Sequence, residues 1–193
     1  MARVNPPSST GRLEVVYGSM FAGKTEYLIS RLRFEQSRGR RVRAFKHAID
    51  DRYAADHLAT HAGDRFQATR TSDAASILDQ VSGIDVIAID EGHFFKLPLV
   101  AVVEALRKQG KTVLVAGISH DAWGRPFEPM PQLTAMADTV VQRQAPCRVC
   151  GQPSPFTQRM TAVNTEFMVG GTGDYEPRCA AHFVALAGPP EKR

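Results

Sequence analysis

The sequence predicts an α/β protein, with a parallel sheet covered by helices on both faces and a small second unit towards the C-terminal end. Short, continuously apolar runs alternate with helix-patterned segments between residues 12 and 118, as strands buried on both faces require. A glycine-rich loop joins the first such run to the first helix. From Pro146 onward the texture changes to Cys, Gly, Pro and Thr.

In order, "RLEVVYG" reads as a strand ending in glycine. "KTEYLISRLRFEQSRG" follows as a helix ending near Gly39, with Tyr27, Leu28, Leu32 and Phe34 as its apolar positions. "RVRAFKH" is a second strand. Residues 50–70 carry charge and histidines with little periodicity, and are expected to form an irregular functional loop. "SDAASILDQV" is expected to be a helix capped by Ser72 or Asp73. "DVIAID" is a strand, "PLVAVVEALRKQG" a helix ending at Gly110, and "KTVLVAGI" a strand. "WGRPFEPMPQL" is a proline-rich loop, and "LTAMADTVVQRQ" a helix that can run into a short strand. The expected divisions are a flexible leader (residues 1–10), a P-loop α/β domain (11–145), a metal-binding domain (146–183) and a loose tail (184–193).

Hydrophobic content of 43% and charged content of 23% are those of an ordinary globular protein. No run approaches a transmembrane span and the N-terminus lacks an apolar signal core, so no membrane partner and a cytoplasmic location are expected. The net charge of +4 owes much to residues 31–46, which hold six Arg and one Lys against one Glu. A solvated helix end and turn is the simpler reading of this run than a nucleic-acid patch.

"GSMFAGKT", the run Gly18, Ser19, Met20, Phe21, Ala22, Gly23, Lys24 and Thr25, matches the phosphate loop GxxxxGK[ST] in full. It lies between a strand and a helix, as that loop must. Its glycines let backbone N–H groups and the helix N-terminus face phosphates. Lys24 reaches the β- and γ-phosphates, and the Thr25 hydroxyl serves Mg²⁺. Binding of ATP or GTP follows. Asp90, at the end of a strand expected to be a neighbour, is the second Mg²⁺ residue. Glu91, next to it, is an acid placed to take a proton either from water or from a substrate alcohol; the Asp–Glu pair alone does not choose between them.

"CRVC" and "CAAH" stand 28 residues apart. Cys147, Cys150, Cys179 and His182 supply the four ligands of a tetrahedral structural Zn²⁺. The intervening "TAVNTEFMVGGTGDYEPR", tethered at both ends, suits a lid over a bound ligand, with Phe167 and Tyr175 as candidate contacts.

Together "GSMFAGKT", "KHAIDDRY", "DEGHFF", "GRPF", "PMPQL", "CRVCG" and "GGTGDYEPRC" resemble the type II thymidine kinases, the cellular class, in order from Gly11 to Phe183. The resemblance implies a RecA-like P-loop core with a zinc-anchored lasso. It implies transfer of the ATP γ-phosphate to the 5′-hydroxyl of thymidine, or deoxyuridine, to give dTMP. Glu91 is then the base. Phe94 and Phe127 pack on the nucleoside, Met20 lies near the thymine methyl, and Asp50 and Arg52 lie near the phosphates and metal. Ile118, Tyr175 and the lasso backbone at Gly170 and Gly171 face the substrate. Homotetramers and feedback inhibition by dTTP also follow from the resemblance.

Where that family commonly has Gln, this chain has His93. "GISHDAWGRPF" departs further: Ala122 and Trp123 replace a pocket aromatic and its neighbour, and Ile118 and Ser119 replace Leu-Asp. These departures bear on base selectivity more than on phosphoryl transfer. The alternative function is a zinc-ribbon P-loop ATPase acting on nucleic acid.

Overall fold

The computed structural model describes residues 11–50, 56–60, 62–161, 170–171 and 173–186. Its core is a seven-stranded sheet made of β1 (Leu13–Gly18), β2 (Val42–His47), β3 (His57–Ala59), β4 (Arg65–Thr71), β5 (Val86–Asp90), β6 (Thr112–Ile118) and β7 (Thr139–Arg143). The strand order is β3-β4-β2-β5-β6-β1-β7. All pairings are parallel except β3 with β4, which is antiparallel. β5 is buried along its whole length, as its unbroken apolar pattern predicts.

Helix α1 (Lys24–Ser37) covers one face, seating Leu28, Ile29 and Leu32 against Val16, Ala88, Leu114 and Ala116. Helix α2 (Pro98–Lys108) covers the other. It begins with proline, whose missing N–H costs nothing at a first helical position, and buries Leu99, Val102, Val103 and Leu106 against Ile87, Ile89, Val113 and Val115. The short helix α3 (Met130–Met136) adds Met130 and Leu133 to this second face. Among the described residues no helix is long and apolar enough to cross a membrane.

Several sequence expectations are corrected. Met130 to Leu133, expected in a proline-rich loop, open helix α3. Within residues 50–70, expected as an irregular loop, lies the β3–β4 hairpin. β4 escapes notice because it packs only Phe66 and Ala68 on the core, while its other positions are charged or polar. The helix expected at residues 72–81 is a 3-10 segment, Ala75–Gln80. Asp73 Oδ1 accepts from the Ala75 N–H and Ser76 Oγ bonds Asp73 O, local bonds that compete with an α-helix. Phe34, expected on the apolar face of α1, is half exposed, with the Arg31 and Arg38 guanidinium groups against its ring. Finally, β5 is not the neighbour of β1, because β6 lies between them.

Much of the basic run is internally satisfied. Arg31 and Arg40 hold the buried Glu35, Arg33 pairs with Asp64, and Arg41 pairs with Asp85. Arg43 donates to the Gln80 carbonyl. These partners favour the structural reading of the run over the nucleic-acid one.

After β7 the chain builds two small antiparallel sheets, β8 (Ala145–Pro146) with β9 (Pro153–Ser154) and β10 (Phe156–Arg159) with β11 (Tyr175–Arg178). Val184, assigned from sequence to the tail, both donates to and accepts from the Gln158 side chain, at 2.8 and 2.9 Å.

Candidate active site

The loop after β1 turns sharply because of two glycines. A Cβ on Gly18 would meet the Arg143 carbonyl oxygen at 1.7 Å, and Gly23 stands at φ +70°, where other residues are strained. Ser19 is fully buried, and its hydroxyl accepts from the Ala145 N–H. Lys24 Nζ donates to the Ser19 carbonyl at 2.6 Å, folding its chain back over the loop. Arg143, on β7, donates to the Ala22 carbonyl. The Met20 N–H donates to Thr157 Oγ1 of β10 at 2.9 Å.

This loop forms one wall of a cavity of about 260 Å³. Met20 to Thr25, Asp50, Asp90 and Glu91 all line it, so the structure brings these sequence candidates together. Thr25 Oγ1 donates to Asp90 Oδ2 at 2.9 Å. Asp90 Oδ1 accepts from the Glu91 N–H. Burial, followed by the adjacent Glu91 charge, pushes the Asp90 carboxyl up to about 7. A divalent cation at this carboxylate would relieve that penalty.

Sequence reasoning missed two lining features. Lys46 of β2 is 2% exposed, faces the cavity and lies 3.7 Å from Asp50. Its signal was present: a lysine inside the apolar run "RAFKH", in register with Asp90 on β5. Leu58, Ala59 and Thr60 also line the wall, within the span expected to be an irregular loop.

Glu91 has φ 49° and ψ 45°, the left-handed region, and it opens a 3-10 segment, Gly92–Phe95. That turn places the Glu91 side chain at the cavity and carries Phe94 away from it. Phe94, Phe127 and Ile118 gather around His93, which is fully buried. The His93 ring centroid lies 4.2 Å from that of Phe94 and 4.7 Å from that of Phe127. Its Nδ1 accepts from the Ile118 N–H at 3.4 Å and lies 3.7 Å from Glu91 Oε2. The cavity wall includes neither Ala122 nor Trp123. Trp123 is buried, with the Arg125 guanidinium 5.1 Å above its ring. Gly170, Gly171 and Tyr175 also lie outside the lining, in the turn that opens β11, where Gly171 O accepts from the Asp174 and Tyr175 N–H groups. Arg52 and Phe167 fall outside the described residues.

Cys147, Cys150, Cys179 and His182 converge, with their ligand atoms all within 4.8 Å of one another. Cys150 Sγ is 3.7 Å from Cys179 Sγ, and His182 Nδ1 is 3.8 Å from Cys147 Sγ and 3.2 Å from Cys179 Sγ. The edge of a tetrahedral site with 2.3 Å metal–sulfur bonds is about 3.8 Å, so the cluster fits a zinc site. Gly151, at φ +73°, closes the first knuckle, and its N–H donates to Cys147 O. Burial raises the Cys147 thiol, but the Cys179, Cys150 and Val149 N–H groups outweigh it and bring it down to about 5. The sulfur is therefore prepared as a thiolate ligand.

The family model described as "Thymidine kinase" matches residues 11–183. The chain belongs to the thymidine kinase family. A thymidine kinase of Rhodothermus sp. (strain ITI 518) is 42% identical over 175 residues, which is 91% of this chain and 82% of that protein. The matched span takes in the phosphate loop, the Asp90–Glu91 turn and the Cys₃His cluster alike, so both parts of the chain belong to the thymidine kinase pattern.

Proposed function

We propose that the chain is an ATP-dependent thymidine kinase, transferring the γ-phosphate to the 5′-hydroxyl of thymidine, or deoxyuridine, to give dTMP in nucleoside salvage. The observation that carries this reading is the double placement of Glu91. It lines the phosphate-loop cavity, and it lies 3.7 Å from His93, which packs on the aromatic rings of Phe94 and Phe127. A carboxylate at the junction of a phosphate site and an aromatic wall suits a base for a sugar hydroxyl.

In this reading Gly18 to Thr25 hold the ATP phosphates, and Asp50 and Arg52 serve near the phosphates and metal. Thr25 and Asp90 hold Mg²⁺, which neutralises charge on the phosphate oxygens. Glu91 takes the 5′-hydroxyl proton as the oxygen attacks phosphorus in line. Phe94, Phe127, Ile118 and Met20 bound the nucleoside, and Gly170, Gly171 and Tyr175 close over it from the lasso. The Cys₃His cluster holds a structural Zn²⁺ with no open position, and its part is folding.

The division into residues 11–145 and 146–183 is part of the same proposal, supported by the separate small sheets after β7. A homotetramer inhibited by dTTP and working in the cytoplasm is the corresponding family expectation. The test is incubation with labelled ATP, Mg²⁺ and a panel of nucleosides and DNA. Labelled dTMP is the expected product; phosphate release that depends on DNA, without a nucleotide product, overturns the reading.

A further inference from the structure

One buried side chain touches four residues proposed for the nucleoside end of the site. His93 has no exposed surface. It is 3.7 Å from Glu91 Oε2, it accepts the Ile118 N–H, and its ring packs on Phe94 and Phe127. Phe94 also lies 5.8 Å, centroid to centroid, from His47, whose ring meets that of Phe95 edge to face at 4.7 Å. Phe94 and His47 stand on different elements, as do Phe127 and Ile118; the backbone pairs beside them, with the Phe127 N–H on Ser119 O and Lys46 opposite Asp90, and the imidazole adds a side-chain link between these segments.

We infer that His93 is the positioning residue of the nucleoside end, fixing Glu91, Phe94, Phe127 and the Ile118 backbone in one arrangement and acting only through them. Two properties of the ring carry the role. Its ring packs, tilted by 42° and 44°, on two phenyl rings at 4.2 and 4.7 Å, and its Nδ1 is an acceptor aimed at the end of β6. A glutamine supplies an acceptor and a short planar amide, without the width of the ring. The aromatic wall is therefore stiffer with histidine at this position, and because Nδ1 accepts from Ile118, the ring limits the swing of Glu91 as a packing neighbour at 3.7 Å and not through a hydrogen bond. A displacement of about 1 Å at a reacting group costs on the order of 10²-fold in rate.

This inference rests on the proposed assignment of Glu91, Phe94 and Phe127 to nucleoside phosphorylation. The test compares the full-length chain with His93→Ala, His93→Gln and His93→Phe, reading KM for thymidine, KM for ATP, kcat, and binding of a fluorescent ATP analogue without nucleoside. His93→Ala is expected to lower kcat/KM for thymidine by about 10- to 100-fold with ATP-analogue binding unchanged. His93→Gln, which keeps the acceptor, should recover kcat more than KM for thymidine. His93→Phe, which keeps the rings, should recover KM more than kcat. Should His93→Ala not fold, the opposite splits of the Gln and Phe variants carry the test. Variants that match the parent, or that lose ATP-analogue binding and thymidine turnover together, overturn the inference. A parent chain that phosphorylates no nucleoside would instead sink the assignment beneath it.

Discussion

The Thr25 hydroxyl donates to Asp90 across 2.9 Å, joining the first turn of α1 to the end of β5 over the intervening strand β6. Both groups are thereby held side by side at the cavity before a cation arrives. Thr25→Val and Asp90→Asn should each weaken Mg²⁺ activation by about 10- to 100-fold, the usual effect of removing a metal's oriented partner. A Mg²⁺ titration of initial rate at saturating ATP reads this directly.

Glu91→Gln keeps the size of the side chain and removes its basicity. Turnover of thymidine should fall by about 10²- to 10⁴-fold, while nucleotide binding stays near that of the parent. Steady-state kinetics paired with equilibrium ATP binding would separate the two, and unchanged kcat would remove Glu91 from the mechanism.

Cys150→Ser should release the metal from the Cys₃His cluster. Metal analysis is expected to show one Zn²⁺ per parent chain and none in the variant. Chelation should have a second effect. Thr157 and Ser119 tie β10 and the residue before it to Met20 and to the end of β6. Metal loss should therefore raise KM for ATP and thymidine before the main sheet unfolds, a sequence that circular dichroism and kinetics can follow together.

Tyr27 donates to Glu14 at 2.7 Å, and burial together with that carboxylate pushes its phenol up to about 12. The folded chain thus keeps a proton that the unfolded chain releases near 10. The resulting stability is fully present below about 10 and is lost as pH rises through about 12. In an alkaline titration of phenolate absorbance, Tyr27→Phe should delete a tyrosine transition at about 12 and flatten the pH dependence of unfolding across that window. A titration identical to the parent's would count against the Tyr27–Glu14 bond.

What the sequence made legible follows how local the physics is. The phosphate loop, β5 and α2 each depend on a short pattern, and each forms as expected. The metal cluster needed only ligand type and spacing, though the use of His182 Nδ1 depends on how the ring meets Cys179 and could not be read in advance. β4 was missed because a strand with only two apolar anchors, Phe66 and Ala68, among charged and polar residues has little hydrophobic pattern to display. Lys46 was missed because a buried lysine inside an apolar run has meaning only once β5 lies beside it. The role of His93 depends on four contacts from three separate segments of chain, and no spacing rule connects them.

The turn at Glu91 sets durability against turnover. A glutamate held at φ 49° carries a steric cost of about 1–2 kcal/mol that glycine avoids. Glu91→Gly should therefore melt at a higher temperature than the parent and lose turnover by about 10²- to 10⁴-fold, as Glu91→Gln does. A search for heat-resistant variants that ignores activity would be drawn to the one backbone position where the proposed reaction cannot spare its side chain.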